Sequence, residues 1–287
     1  MRISSKRILY TKKLNKEEEQ MSKSKRMIKG FILTLGAVAV LAGTAGATPS
    51  TTYWTPAISD VQPYGVWHLG IDNYFTLGTK AGETGDLPTD LGITVGVLPY
   101  EKIQLEVGID LMEPSTDPLM FNAKLGTPEG SLFEGSPALN IGIFNVGTDT
   151  KDAATDGDAR TDYNIIDLIA GKTLPANLGR LHVGVYSGND KLLVDKNGEK
   201  DNTGFMIGYD KGFLPAKDDK GDYNKWIFAA DYASGMNAIG AGGFGIYHYF
   251  TRDISLLTGP VWFNEPVAAI GNADIKWVWT TQLDVNF

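Results

Sequence analysis

From about residue 65 to the C terminus, apolar and polar positions alternate with a period of two, in run after run. Leu91, Ile93, Val95 and Val97 alternate with Gly92, Thr94 and Gly96. Ile103, Leu105, Val107, Ile109 and Leu111 alternate with Gln104, Glu106, Gly108 and Asp110. The same alternation runs through 121–125, 139–143, 180–186, 205–210 and 225–232, and through the C-terminal stretch 276–287. Side chains along a strand point to opposite faces in turn, so this pattern predicts strands with one apolar and one polar face. Less regular strands are expected over 65–77, 163–173, 240–250 and 254–264, for about twelve in all. No helical stripe of useful length appears in this region, and no sequence repeat or linker marks a second domain.

The links between strands have their own rhythm. Short turns are expected at 99–101, 174–179 and 251–253, and medium ones at 127–136 and 212–224. Polar loops fall between them at 79–88, 112–117, 148–162, 188–203, 234–239 and 264–275. Long and short links thus alternate roughly along the chain, as in an up-and-down barrel set in a membrane. The period-two pattern also fits a soluble sandwich with its apolar face inward. Three features favour an apolar face turned out to lipid. Strands of about ten residues are long enough to cross a bilayer when tilted. Aromatics collect at strand ends in Tyr247–Phe250, Trp262–Phe263 and Trp277–Trp279, as at membrane interfaces. Finally, Gly92, Gly96, Gly108, Gly142, Gly184, Gly208 and Gly245 occupy the polar face, where small residues relieve crowding and let a closed sheet bend. The expected fold is therefore all-β, a transmembrane antiparallel barrel of about twelve strands over 65–287.

The start of the chain changes the picture of where it goes. Lys23, Lys25, Arg26 and Lys29 precede an apolar run from Phe31 to Ala42, and Ala45-Gly46-Ala47 follows. This is the layout of a signal peptide over 21–47, with the apolar run too short to span a bilayer. Residues 1–20 fit no part of that layout, and Lys16–Gln20 can encode a ribosome-binding sequence, so a leader translated ahead of a true start at Met21 is expected. Removing the ten Lys/Arg and three Glu of residues 1–47 leaves 16 basic and 31 acidic residues, a net charge of −15. Such a chain is a poor partner for nucleic acid or an anionic membrane surface. It has no cysteine, so an exported chain of this kind does without disulfides. The segment 48–64, with Pro49, Pro56 and Pro63, is expected to run extended on the periplasmic side, with entry into the lumen as the alternative.

The C terminus carries a resemblance. Trp279, Leu283, Val285 and Phe287 alternate with polar residues, although Thr281 is a weak member of the apolar set. This ending resembles the assembly signal of bacterial outer-membrane β-barrel proteins, in which the barrel-assembly machinery reads a final aromatic and the apolar residues before it. The stretch Phe250–Phe263 is similar to the hairpins of uncharacterised porin-like barrels. The resemblance implies a Gram-negative outer-membrane protein with outer-membrane lipid as its surroundings.

In such a barrel the polar face lines the lumen. The expected pore-lining residues are Gln104, Glu106, Asp110, Asn122, Lys124, Asn140, Asp167, Arg180, His182, Tyr186, Asp210, Lys225, Asp231, Lys276, Gln282 and Asp284. With more carboxylates than fixed cations, a wet pore would favour small cationic or neutral polar solutes. If Lys124, Arg180, Lys225 and Lys276 instead pair with the carboxylates, the interior closes, leaving a scaffold or receptor for another envelope protein. None of His68, His182 and His248 has a serine two residues away, and no serine sits in a nucleophile-elbow setting, so a catalytic role is not expected. The acidic loop Asp149–Asp162 and the stretch Asp195–Glu199 lack the ordered spacing of an EF-hand, so neither a metal nor a cofactor is expected. N-terminal sequencing of a cleavage-blocked precursor is expected to begin at Met21; a sequence starting earlier would make residues 1–20 part of the protein.

Overall fold

A computed structural model describes residues 51–77, 87–113, 117–151, 160–268 and 274–287, without the side chains of 267, 268 and 274. The expected leader and signal peptide, and the middle of the acidic loop at 152–159, lie outside the described residues. Twelve strands follow one another: β1 (Trp67–Phe75), β2 (Thr89–Gly96), β3 (Gln104–Glu113), β4 (Leu119–Thr127), β5 (Ala138–Gly147), β6 (Asp162–Thr173), β7 (Arg180–Ser187), β8 (Thr203–Asp218), β9 (Gly221–Ala233), β10 (Ala241–Thr251), β11 (Ile254–Ala268) and β12 (Asp274–Asn286). Each pairs antiparallel with its neighbours in sequence, and β12 pairs with β1, so the sheet is a closed up-and-down barrel.

Closure runs in unbroken register from His68 opposite Asn286 to Phe75 opposite Trp279. Trp67 and Phe287 add two backbone bonds beyond it, Trp67 N–H to Phe287 C=O at 2.9 Å and Phe287 N–H to Trp67 C=O at 3.0 Å. The last strand therefore has partners on both sides, and no sheet edge remains. Both β1 and β12 start or finish at one end, here called the terminal end. The links there are 97–103, 128–137, 174–179, 219–220 and 252–253. The links at the other end, the loop end, include 76–88, 148–161 and 188–202.

Which face is apolar is settled by exposure. Leu91, Ile109, Phe121, Leu125, Ile141, Leu168, Val185, Phe205, Ile207, Phe244 and Trp262 all point outward and stay exposed. A belt of this size around a closed barrel is a surface for hydrocarbon rather than water. Aromatic rings pack along it. Trp226 and His248 lie 4.2 Å apart between centroids, and His248 and Phe250 4.7 Å, towards the terminal end. Phe244 and Trp262 are 5.8 Å apart further along the wall. Not every strand-end aromatic belongs to this belt. Tyr247 and Tyr249 are buried inside the barrel, and Phe263 packs there with them. They occupy inward positions of β10 and β11, while Gly243, Gly245 and Gly259 on the same face leave room for the ring of Tyr53.

Two expected links are shorter than their composition suggests. The medium turn expected at 212–224 is paired strand up to a two-residue turn at 219–220. Phe213 opposes Trp226 and Pro215 opposes Asn224 in one unbroken register, and Leu214 between them sits at φ 52°. Pro215, which has no N–H to give, thus keeps its place in the ladder without ending the strand. The loop expected at 264–275 likewise shrinks, because β11 extends to Ala268 and β12 starts at Asp274.

The terminal-end turns are tied together by Arg252, 2% exposed in the link between β10 and β11. Its Nη2 donates to Asp222 C=O at 2.7 Å, and its Nε lies 3.5 Å from Asp218. Lys220 reaches Asp253 at 2.6 Å, and that hydrogen bond holds its ammonium above the usual lysine range.

An arginine on the outer belt discriminates a lipid-facing wall from a wet one. Ile109→Arg, in the middle of β3, is expected to cost about 2–4 kcal/mol of stability in a bilayer. Denaturant titration of the barrel refolded into lipid vesicles checks it; no loss would mean that this face meets water.

Candidate functional site

The segment Thr51–Pro63 takes the alternative course, into the lumen, and not the expected one along the periplasmic side. It crosses the inside of the barrel, and Thr52, Tyr53, Thr55, Ala57, Ile58, Ser59, Val61 and Gln62 are all buried. We call it the strap. The reason lies in the wall it meets. Asp231 on β9 accepts three successive backbone N–H groups with one oxygen, from Tyr53 at 2.9 Å, Trp54 at 2.8 Å and Thr55 at 2.7 Å. An extended, proline-punctuated segment has no strand neighbour to satisfy its backbone, and the lumen supplies partners instead. Tyr53 C=O accepts from Gln282, Ile58 C=O from Asn140, and Asp60 C=O from Lys124. Tyr247 donates its hydroxyl to Thr52 C=O at 3.1 Å, and Tyr53 donates its own to Pro260 C=O at 2.9 Å.

Inward glycines make the space. A Cβ on Gly96 would strike Pro63 C=O, one on Gly208 would strike Ala57 C=O, and one on Gly171 would strike the Ser59 side chain. The glycines of the polar face thus accommodate a second layer of chain as well as the bend of the sheet. Apolar contacts complete the seat. Tyr53 lies in a cluster with Ala229, Leu257, Val261 and Val278, while Ala57 joins Ile165, Ile169, Met206 and Ala233 on the other side.

Beneath the strap, at the terminal end, the charges are matched. Arg180 binds Asp60 of the strap at 2.9 and 2.7 Å and Asp210 at 3.1 Å. Ser59 N–H donates to His182 Nδ1 at 3.1 Å, which leaves Nε2 to carry the proton towards Asp210 at 3.0 Å. Where the strap borders the cavity above it, Lys124 sits 3.3 Å from Glu106, which also accepts Gln62 N–H at 2.7 Å.

Above the strap lies a cavity of about 770 Å³. Its floor is Thr51, Trp54, Thr55 and Pro56, and its lining reaches Pro88, Arg160 and Ala238 in the loop-end links. The wall carries Asp72, Asp90, Glu106, Asp110, Asp167 and Asp284, against His68, Lys124 and Arg160. His68 faces Asp284 at 3.4 Å and Asn286 at 2.8 Å, and Arg160 is turned to Asp162 at 2.8 Å.

The structure sorts the sequence-predicted lumen residues into groups. Glu106, Asp110, Asn122, Lys124, Asp167, Gln282 and Asp284 line the cavity. Asn140, Arg180, His182, Asp210 and Asp231 contact the strap or its neighbours, and half-buried Gln104 lies towards the terminal end of β3. Tyr186 is buried on the loop-end side, donating to Ser234 C=O. Lys225 and Lys276 are exposed near strand ends, and among the described residues neither forms an ion pair. His68, Asp72 and Asp90 are cavity residues that the sequence reading did not single out. Asp90 is one step before Gly92 on the same face, and Asp72 shares a face with His68 and Gly70; extending the alternation by two residues would have reached both. Asp195, whose loop was read as metal-free, accepts Asn197 and Glu199 N–H at 2.9 Å each, and the Glu199 bond holds its carboxyl below the usual range.

No family model and no curated protein matches the chain. Three solved barrels are similar to it. The KdgM porin is 7% identical at a TM-score of 0.46, over 77% of this chain and 99% of that one. The NanC porin is 9% identical at 0.45, over 76% and 98%. The COG4313 outer membrane channel from Pseudomonas putida F1 is 13% identical at 0.41, over 81% and 99%. At such scores the barrel rests on its own strand pairing, and the site on its own residues.

Removing the strap's main anchor tests this arrangement. Asp231→Ala leaves three strap N–H groups without an acceptor and is expected to weaken strap docking by about 3 kcal/mol. Limited proteolysis of the folded barrel then cuts within 51–63 much faster than in the unsubstituted protein. An unchanged cleavage rate would mean that the apolar seat alone holds the strap.

Proposed function

We propose that the protein is a porin-like barrel of the bacterial outer membrane that passes small cationic or neutral polar solutes by diffusion, with the strap setting the width of the passage. The observation that carries this reading is the acidic cavity that reaches the loop-end links and is floored by the strap, not by the barrel wall. A floor held by hydrogen bonds to side chains can leave without breaking any strand pairing. Excess carboxylates in a low-dielectric lumen raise the local concentration of cations and repel anions. The apolar belt supports a place in lipid. The outward alternation of Trp279, Leu283, Val285 and Phe287 supports recognition by the barrel-assembly machinery during biogenesis.

A second reading is a closed barrel that serves as a scaffold or surface receptor for another envelope protein. It is favoured by the quality of the strap's seat: Tyr53 and Ala57 are 0% exposed, and Asp60 is engaged by both Arg180 and Lys124.

Planar-bilayer conductance under a salt gradient separates the two. The mature chain is expected to give small discrete steps with a cation-biased reversal potential. Deleting 51–63 is expected to enlarge the steps severalfold, and Asp110→Asn to weaken the bias. A folded barrel silent in both forms would favour the scaffold.

A further inference from the structure

The lumen's charges differ above and below the strap. Below it, the carboxylates meet Arg180 and His182. Above it, Asp72, Asp90 and Asp110 share one patch of wall on β1–β3. Asp72 and Asp90 are register partners, and Asp110 lies opposite Gly92, its carboxylate within 2.7 Å of where a Gly92 Cβ would stand. Their side-chain donors are neutral: the Tyr74 hydroxyl at 3.3 Å from Asp72 and the Asn122 amide on Asp110. Among the described residues no lysine, arginine or histidine pairs with any of the three. Three half-buried carboxylates this close call for an added cation or for protons.

A second observation points to a ligand. Asp167, on β6 and lining the same cavity, is 2% exposed, and its Oδ1 has no hydrogen-bond partner. Thr94, 6% exposed and also on the lining, has an Oγ1 in the same condition. Aromatic rings stand beside the acidic patch: Trp54 of the strap and Tyr74 of β1 meet edge to face at 4.8 Å between centroids, and both line the cavity. Carboxylates next to indole and phenol faces suit an ammonium or guanidinium head, which takes hydrogen bonds and ring contact together. A bare metal ion suits the site less. Among the described residues no three acidic or imidazole groups converge as its ligands, and a volume of about 770 Å³ matches a small molecule.

We propose that this cavity binds a small organic dication, with one cationic head among Asp72, Asp90 and Asp110 beside Trp54 and Tyr74, and the other directed to Asp167. As the docking site of the transported solute it rests on the passage reading; as a binding site it stands by itself.

Calorimetry on the mature chain refolded in detergent tests it, with 1,4-diaminobutane as the probe and uncharged 1,4-butanediol as its match in length. The expected result is saturable binding of the diamine and none of the diol. Asp90→Asn and Asp167→Asn should each weaken the diamine by about tenfold or more, because each leaves a cationic head short of its counter-charge. Asp190→Asn, on an exposed loop, should leave it unchanged. Equal binding of diol and diamine, diamine binding that ignores both lumen variants, or saturable magnesium binding with none of the diamine would each overturn the site. If an Asn variant fails to fold by heat-dependent gel mobility, the diamine–diol comparison on the unsubstituted chain decides alone. Diamine binding without conductance would remove the passage and keep the site; conductance without diamine binding would do the reverse.

Discussion

Everything in this structure depends on the backbone pairing of β1 with β12. A strand edge facing hydrocarbon would leave a row of N–H and C=O groups with no partner, at a cost of several kcal/mol per group. Eight register pairs and the two bonds between Trp67 and Phe287 remove that edge. Once the sheet is closed, the alternation of side chains has only one arrangement in lipid: Leu91, Ile109 and Phe121 out, Asp90, Asp110 and Asn122 in. The polar interior follows from closure, and with it the demand that buried carboxylates find partners.

The strap answers part of that demand and leaves part of it open. Its backbone N–H groups bind one oxygen of Asp231 and one of Glu106, and its Asp60 gives Arg180 a second carboxylate. It ends its useful reach at about the level of Trp54. Beyond that the wall of β1–β3 has acceptors and few donors. The barrel thus has one part in which the strap supplies partners to the wall, and another, on β1–β3, where the wall's carboxylates lack charged partners among the described residues.

Much of this was legible in the sequence, and the reasons are specific. A period of two survives in nearly every strand because lipid and lumen impose opposite demands on successive side chains; hence the twelve strands and the short terminal-end links. The strap was legible only as an alternative, since Thr51–Pro63 has no alternation and its partners, Asp231, Gln282 and Arg180, lie far away in the chain. The inward Tyr247, Tyr249 and Val278 were also hidden, because a polar face that seats a strap can hold apolar groups under it. Pro215 looked like a turn residue because a proline usually ends a strand, yet here it keeps its register opposite Asn224. Lys225 and Lys276 have the right parity for the lumen but sit at strand ends, where a long side chain reaches water.

The long reach of the strap's contacts also sets an order of events. Gln282 and Tyr53 are 229 residues apart, and Asp231 and Tyr53 178. Contacts so distant in sequence cannot form until the last strands exist and are placed, because the chain between them must first be ordered. The nascent barrel therefore passes through a stage in which its lumen is wet and its inner carboxylates are hydrated. Drying the terminal half is the final event of folding, and the strap is the last segment to find its place.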